Sequence, residues 1–161
     1  MALKSDRYVL QTDISFFLNE VAERGVIVSL STGGSGVALD NQGTTSSPFP
    51  LAVVSANPSG VKPIGFLMND MVSIDTTRYH LNFHKDEVDM PGKVTILRKG
   101  WVLTDKVTGG LPAAFDKAYL GGSGLLQKTQ GVGGEVQNPT VGQFLSTVDE
   151  DGYTKVEINL P

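Results

Sequence analysis

VGQFLSTVDEDGYTKVEINLP, residues 141–161, decides the fold of this chain. From Tyr153 to Leu160 the residue types alternate: Thr154, Val156, Ile158 and Leu160 fall on one face, and Tyr153, Lys155, Glu157 and Asn159 on the other. A period of two is that of a β-strand with one face buried. The stretch Val141–Thr147 precedes it, and Asp149-Glu150-Asp151-Gly152 lies between. An Asp-Gly pair flanked by such segments predicts a β-hairpin.

Working back along the chain, Lys93–Thr104 (KVTILRKGWVLT) alternates again and carries one interior glycine, Gly100. Such a glycine marks a bulge or a bend. Short apolar runs precede it at Val26–Leu30, at Leu51–Val54 and within Gly65–Asp75, with a turn signal at Asn57-Pro58-Ser59-Gly60. Nineteen glycines and eight prolines among 161 residues punctuate these runs without any period. Two segments predict helix: Asp13–Gly25, where Ile14, Phe17, Leu18, Val21 and Ala22 recur at helical spacing, and a short helical turn within Ala113–Leu120. The reading is a mainly β domain: an antiparallel β-barrel or sandwich of six or seven short strands, with at most one or two short helices. Residues 13–161 form the single domain, and Met1–Thr12, which has no clear period, is expected as an extended N-terminal arm.

Composition narrows the function. A formal charge of −4 disfavours sequence-independent nucleic-acid binding, which draws on many Lys and Arg contacts. No apolar run approaches the ~20 residues of a spanning helix, and no apolar segment follows the basic N-terminus, so neither membrane association nor a secretion signal is expected. The absence of cysteine excludes disulfides, thiolate metal sites and cysteine nucleophiles.

Candidate chemistry is sparse. His80 and His84 stand four apart, as zinc ligands on a helix do, with Asp75, Asp86 and Glu87 near in sequence. The glutamate that would follow the first histidine in a hydrolytic motif is missing, and on a strand the same spacing shares a face with no metal implied. Gly33-Gly34-Ser35-Gly36 and Gly121-Gly122-Ser123-Gly124 lack the Lys-Ser/Thr of a phosphate loop and read as surface loops. The 149–152 carboxylates lack the spacing of a calcium loop, no Gly-x-Ser-x-Gly elbow occurs, and no carboxylate pair stands out for glycoside hydrolysis. No catalytic residue, cofactor or metal is therefore assigned. Arg98-Lys99-Gly100-Trp101 sets two cations beside the only tryptophan, and Arg and Trp are common interface anchors. Arg98, Lys99, Trp101, His80, His84 and Tyr8 are the candidate protein-interface residues.

Four segments resemble, in order and spacing, the head-decoration (cement) proteins of tailed bacteriophages: Gly25–Asp40 (GVIVSLSTGGSGVALD), Gly65–Pro91 (GFLMNDMVSIDTTRYHLNFHKDEVDMP), Gly92–Thr104 (GKVTILRKGWVLT) and Pro139–Pro161. The resemblance covers about half the chain and involves no catalytic motif. It implies a non-enzymatic virion protein, made in the host bacterial cytoplasm, that joins the outer surface of the expanded capsid as a homotrimer. Its partner would be the major capsid protein, whose capsomers it clamps against the pressure of packaged DNA. Met1–Thr12 would dock by adding a strand to a capsid sheet. The alternatives are a self-assembling tail or baseplate subunit and, behind it, a carbohydrate-active enzyme.

Overall fold

The computed structural model describes residues 3–18, 20–30, 51–53, 60–71, 87–88, 93–131 and 137–161. It is mainly β, a curled mixed sheet forming a half-barrel. In chain order the strands are β1 (Leu3–Asp13), β2 (Phe17–Leu18), β3 (Ala22–Glu23), β4 (Ile27–Leu30), β5 (Leu51–Val53), β6 (Pro63–Met71), β7 (Glu87–Val88), β8 (Val94–Thr104), β9 (Val107–Thr108), β10 (Lys117–Leu120), β11 (Leu126–Gln127), β12 (Thr140–Phe144) and β13 (Thr154–Asn159). Eleven form one sheet in the order β2-β5-β4-β6-β8-β13-β12-β10-β11-β9, with β1 added on β8, while β3 and β7 pair separately. Most pairs are antiparallel, as the short strands predict. The end pairs β2/β5 and β9/β11 are parallel, which the sequence did not indicate.

β8 organises the sheet because it has three partners. β6 takes its first part (Phe66 opposite Leu97, Leu67 opposite Ile96), β13 its second (Thr154 opposite Thr104 through Asn159 opposite Lys99), and β1 runs from Ile96 to Thr104. A strand has two edges. β1 overlaps both other partners and so occupies one edge, while β6 and β13 follow each other along the opposite one. At the junction sits Gly100, with φ +145° and a Cα so close to β1 that a Cβ would lie 2.1 Å from the Tyr8 carbonyl oxygen. The register slips here too. Val9 faces Gly100 and Gln11 faces Lys99, so Leu10 is an extra residue on β1; then Thr12 faces Leu97, leaving Arg98 extra on β8. These are β-bulges, which bend the strands and re-aim the side chains they carry.

The central strands bury both faces. Ile27, Phe66, Met68, Leu97 and Val102 point into the main core with Phe144, Val156 and Ile158, whereas Val28, Ile64, Leu67, Val94 and Ile96 point into a second cluster. The unbroken apolar runs at Val26–Val28 and Phe66–Met68 follow from this, because strands covered on both faces lose the polar alternate positions. β13 has only one buried face and keeps its alternation: Thr154, Val156, Ile158 and Leu160 are buried, as the period predicts.

The lid of the second core is the segment predicted as a helix, and it is not helical. Phe16 and Leu18 are buried while Phe17 is half-buried, a period of two, and the chain passes through β2 and β3 to a turn at Arg24–Gly25. The Phe16 carbonyl accepts the Val94 amide and the Leu67 carbonyl accepts the Gly25 amide (φ +93° at Gly25), so sheet pairing and burial of Phe16, Leu18, Ala22 and Val26 override the helical spacing. Asp13 accepts from the amide and hydroxyl of Ser15 in a local turn, not a helix cap. The second helical expectation also fails: residues 117–120 are β10, held between β11 and β12. Within the segment expected as an N-terminal arm, the described residues from Leu3 onward form β1, which belongs to the sheet, and Leu3 lies in the main core.

An alanine at position 100 would meet the Tyr8 carbonyl and could not hold the backbone angle without strain. Gly100→Ala is expected to destabilise the protein by about 3 kcal/mol or more. Chemical denaturation checks this; a loss below ~1 kcal/mol would show that β1 can move away from β8 without consequence.

Candidate protein-binding surface

Tyr8 and Trp101 are neighbours across β1 and β8, and Glu157 pairs with Trp101 from the other side. Trp101 is half-buried, with the Lys155 ammonium 3.5 Å from its ring centroid. A cation over the ring face is attracted by the ring quadrupole. Trp101 is therefore a platform covered by its own chain, and Tyr8, 51% exposed, is the open member of the row. Lys99 is half-buried between Gln11 of β1 and Asn159 of β13. Arg98 is committed internally: Nε donates to the Ile64 carbonyl at 3.3 Å, and Nη1 lies 3.6 Å from the Asp13 carboxylate. It ties β6 and the end of β1 to β8. His80 and His84 lie outside the described residues.

Two surface features escaped residue-type reasoning. The first is the apolar run Tyr8-Val9-Leu10 on β1. Leu10, the bulged residue, is 65% exposed, and among the described residues β1 pairs with β8 alone. An uncovered strand edge offers backbone donors and acceptors to another chain. The interior glycine of β8 hinted at a bulge; that it would displace Leu10 on a different strand was not readable.

The second feature is the loop between β9 and β10. Leu111 is 74% exposed and Phe115 73%, on either side of the buried Pro112. The loop is tightly fixed. Phe115 donates its amide to the Phe144 carbonyl at 2.7 Å, and the Phe144 amide donates to the Asp116 carbonyl at 2.8 Å. The Gln143 side chain donates to the Phe115 carbonyl, Lys128 to the Leu111 carbonyl, and the Ala113 amide to the Asp116 carboxylate. Phe115 has φ +71°, a left-handed conformation that costs a residue with a Cβ about 1–2 kcal/mol. Two large apolar side chains are thus held in water on a rigid, strained turn.

Two shallow hollows are lined by described residues. One, of about 410 Å³, lies over β10, β12 and β13, lined by Lys117, Thr140, Gly142, Gln143, Glu157 and Asn159. Glu157 and Lys117 are the charged residues of its described lining. The other, of about 390 Å³, has Val21, Ala22, Val26 and Leu125 in its wall, with Glu20, Glu23 and Lys106 among its polar residues. Glu23 and Lys106 form an ion pair. Among the described residues no group of three or more His, Asp or Glu side chains is placed to hold a metal ion, and no helix is long and apolar enough to cross a membrane. The glycine-rich loop Gly121–Gly124 is a tight 3-10 turn closed by the Gly121 amide donating to the Leu125 carbonyl.

The start of β1 is clamped by charge. The Lys4 ammonium lies 3.1 Å from the Asp149 carboxylate and 3.4 Å from that of Asp151, and 4.3 Å from the Tyr153 ring centroid. Asp149 also organises its turn, accepting the Tyr153 amide at 2.7 Å and the Asp151 amide at 3.1 Å. The Tyr153 amide foremost, then Lys4, holds the Asp149 carboxyl below its ordinary value of 3.8, and the bond to Asp149 raises Lys4 above 10.5. A depressed carboxyl stabilises the fold above its unfolded value, and that contribution is lost as pH falls through its folded value. A raised amine stabilises below its unfolded value, and that contribution is lost as pH rises through its folded value. The clamp is therefore complete between about pH 4 and pH 10. Lys4→Met is expected to raise the Asp149 pKa only part of the way to its ordinary value, as followed by NMR carboxyl titration. Full recovery would mean that the turn amides contribute nothing.

Comparison with protein-family models and with curated proteins finds no match for this chain.

Proposed function

We propose that this protein is a structural virion component that binds the outer surface of an expanded bacteriophage capsid as a trimer, and that β1 is its contact strand. The carrying observation is the Tyr8-Val9-Leu10 run, exposed on a strand that is paired on one side only among the described residues. A partner strand added there would satisfy the edge amides and carbonyls, while the apolar side chains supply buried area. The capsid as partner rests on the resemblance of residues 25–40, 65–91, 92–104 and 139–161 to head-decoration proteins. A trimer gains strength by multivalency: once one protomer is bound, the others sit at high effective concentration over neighbouring sites, and modest contacts sum to firm attachment. Catalysis is no part of this reading.

β1 should not be tested by deletion, because removing Leu3 opens the main core and removing the strand uncovers β8. Leu10→Lys keeps the strand and changes an exposed side chain, so protomer stability should move by no more than ~0.5 kcal/mol. In co-sedimentation with expanded, undecorated heads, the native protein is expected to bind saturably at a fixed ratio to lattice sites. Leu10→Lys should bind at least ~10-fold more weakly, the equivalent of ~1.4 kcal/mol. Equal binding by the variant would remove β1 from the interface. No binding by the native protein would remove the capsid reading, and ring or tube formation by the isolated protein would then favour a tail subunit.

A further inference from the structure

The β9–β10 loop and the hollow at Val21 are complementary features of one chain. The loop projects Leu111 and Phe115, each nearly three-quarters exposed, and its hydrogen bonds fix the backbone that carries them before any partner arrives. A preorganised apolar projection loses little conformational freedom on docking. The hollow is shallow and open, with apolar walls from Val21, Ala22, Val26 and Leu125 and a volume of about 390 Å³. Val21 is 57% exposed there. The charges match as well. Lining the hollow, Glu20 and Glu23 outnumber Lys106; around the projection, the exposed Lys117 and the half-buried Lys128, which donates to the Leu111 carbonyl, outnumber Asp116.

We infer that Leu111 and Phe115 of one copy seat in the Val21 hollow of the next, joining copies of this chain head to tail. Projection and hollow are different surfaces, so the contact is heterologous, and repeating it around a rotation axis closes a small oligomer of fixed size. The left-handed Phe115 fits this role. Its ring contributes little to the core of its own protomer, while its backbone angle is strained, so the side chain contributes mainly through what it meets outside.

The inference concerns contacts between copies and is tested without heads, so it can fail while capsid binding stands, and the reverse. Phe115→Gly removes the larger side chain of the projection and relieves the positive φ; Val21→Asp places a charge in the hollow at an exposed position. Mass is read by light scattering and native mass spectrometry over a concentration series of the full chain. The native chain is expected to form a closed small oligomer. Each variant alone should be monomeric, with self-association weakened more than tenfold, and Phe115→Gly should melt at the same temperature as the native monomer or higher. Mixed, the variants should form a one-to-one dimer, because one retains the hollow and the other the projection. A monomeric native chain overturns the inference, as does either variant with the native mass, or a mixture that stays monomeric.

Discussion

The approach of Tyr8 to Gly100 is the constraint on which the rest of the structure depends. β8 must hold β1 along one edge while β6 and β13 share the other, and the strand bends where its partners change. Only a residue without a Cβ allows the Tyr8 carbonyl this close. The register shifts that leave Leu10 and Arg98 unpaired lie beside this glycine, and β4, β6 and β8 bury one face in the main core and the other in the smaller one.

The sequence revealed the parts of this that obey a local period. The hairpin of β12 and β13 was legible because its strands bury one face, and Asp149 with Gly152 closes the turn the Asp-Gly pair promised. Gly100 was legible as an irregularity. The segment from Asp13 to Gly25 was misread for a physical reason. It covers a core, so its apolar residues recur at spacings that fit a helix, but its backbone pairs with β5 and bonds to β6 and β8, and Phe16 and Leu18 alternate with Phe17. Burial by a distant sheet is invisible in a local window. The parallel end pairs were hidden likewise, since strand order depends on which loops cross.

The binding surface was less legible, because exposure is a tertiary property. Arg98 and Trp101 have the composition of interface anchors, yet Ile64 and Asp13 engage the first and Lys155 covers the second. Tyr8 was named by type and is exposed. Leu10, Leu111 and Phe115 carried no signal, because isolated apolar residues in a sequence usually denote core. Their exposure follows from a slipped register in one case and from a left-handed turn in the other.

The two exposed sites have the same physical construction. At Leu10 the ladder gives up a regular pair; at Phe115 the backbone takes an angle costing about 1–2 kcal/mol. In both, the departure places an apolar side chain in water, and burying such a side chain returns about 1.5–3 kcal/mol. The return exceeds the cost only when a partner covers the site, so the fold stores at its surface stabilisation that the isolated protomer cannot realise. The sites belong to different segments, one on a strand edge and one on a loop fixed by Phe144 and Asp116. A protomer with two such separated sites can be held by two partners at once. That is the requirement for a subunit that joins its own copies with one surface and a larger lattice with the other.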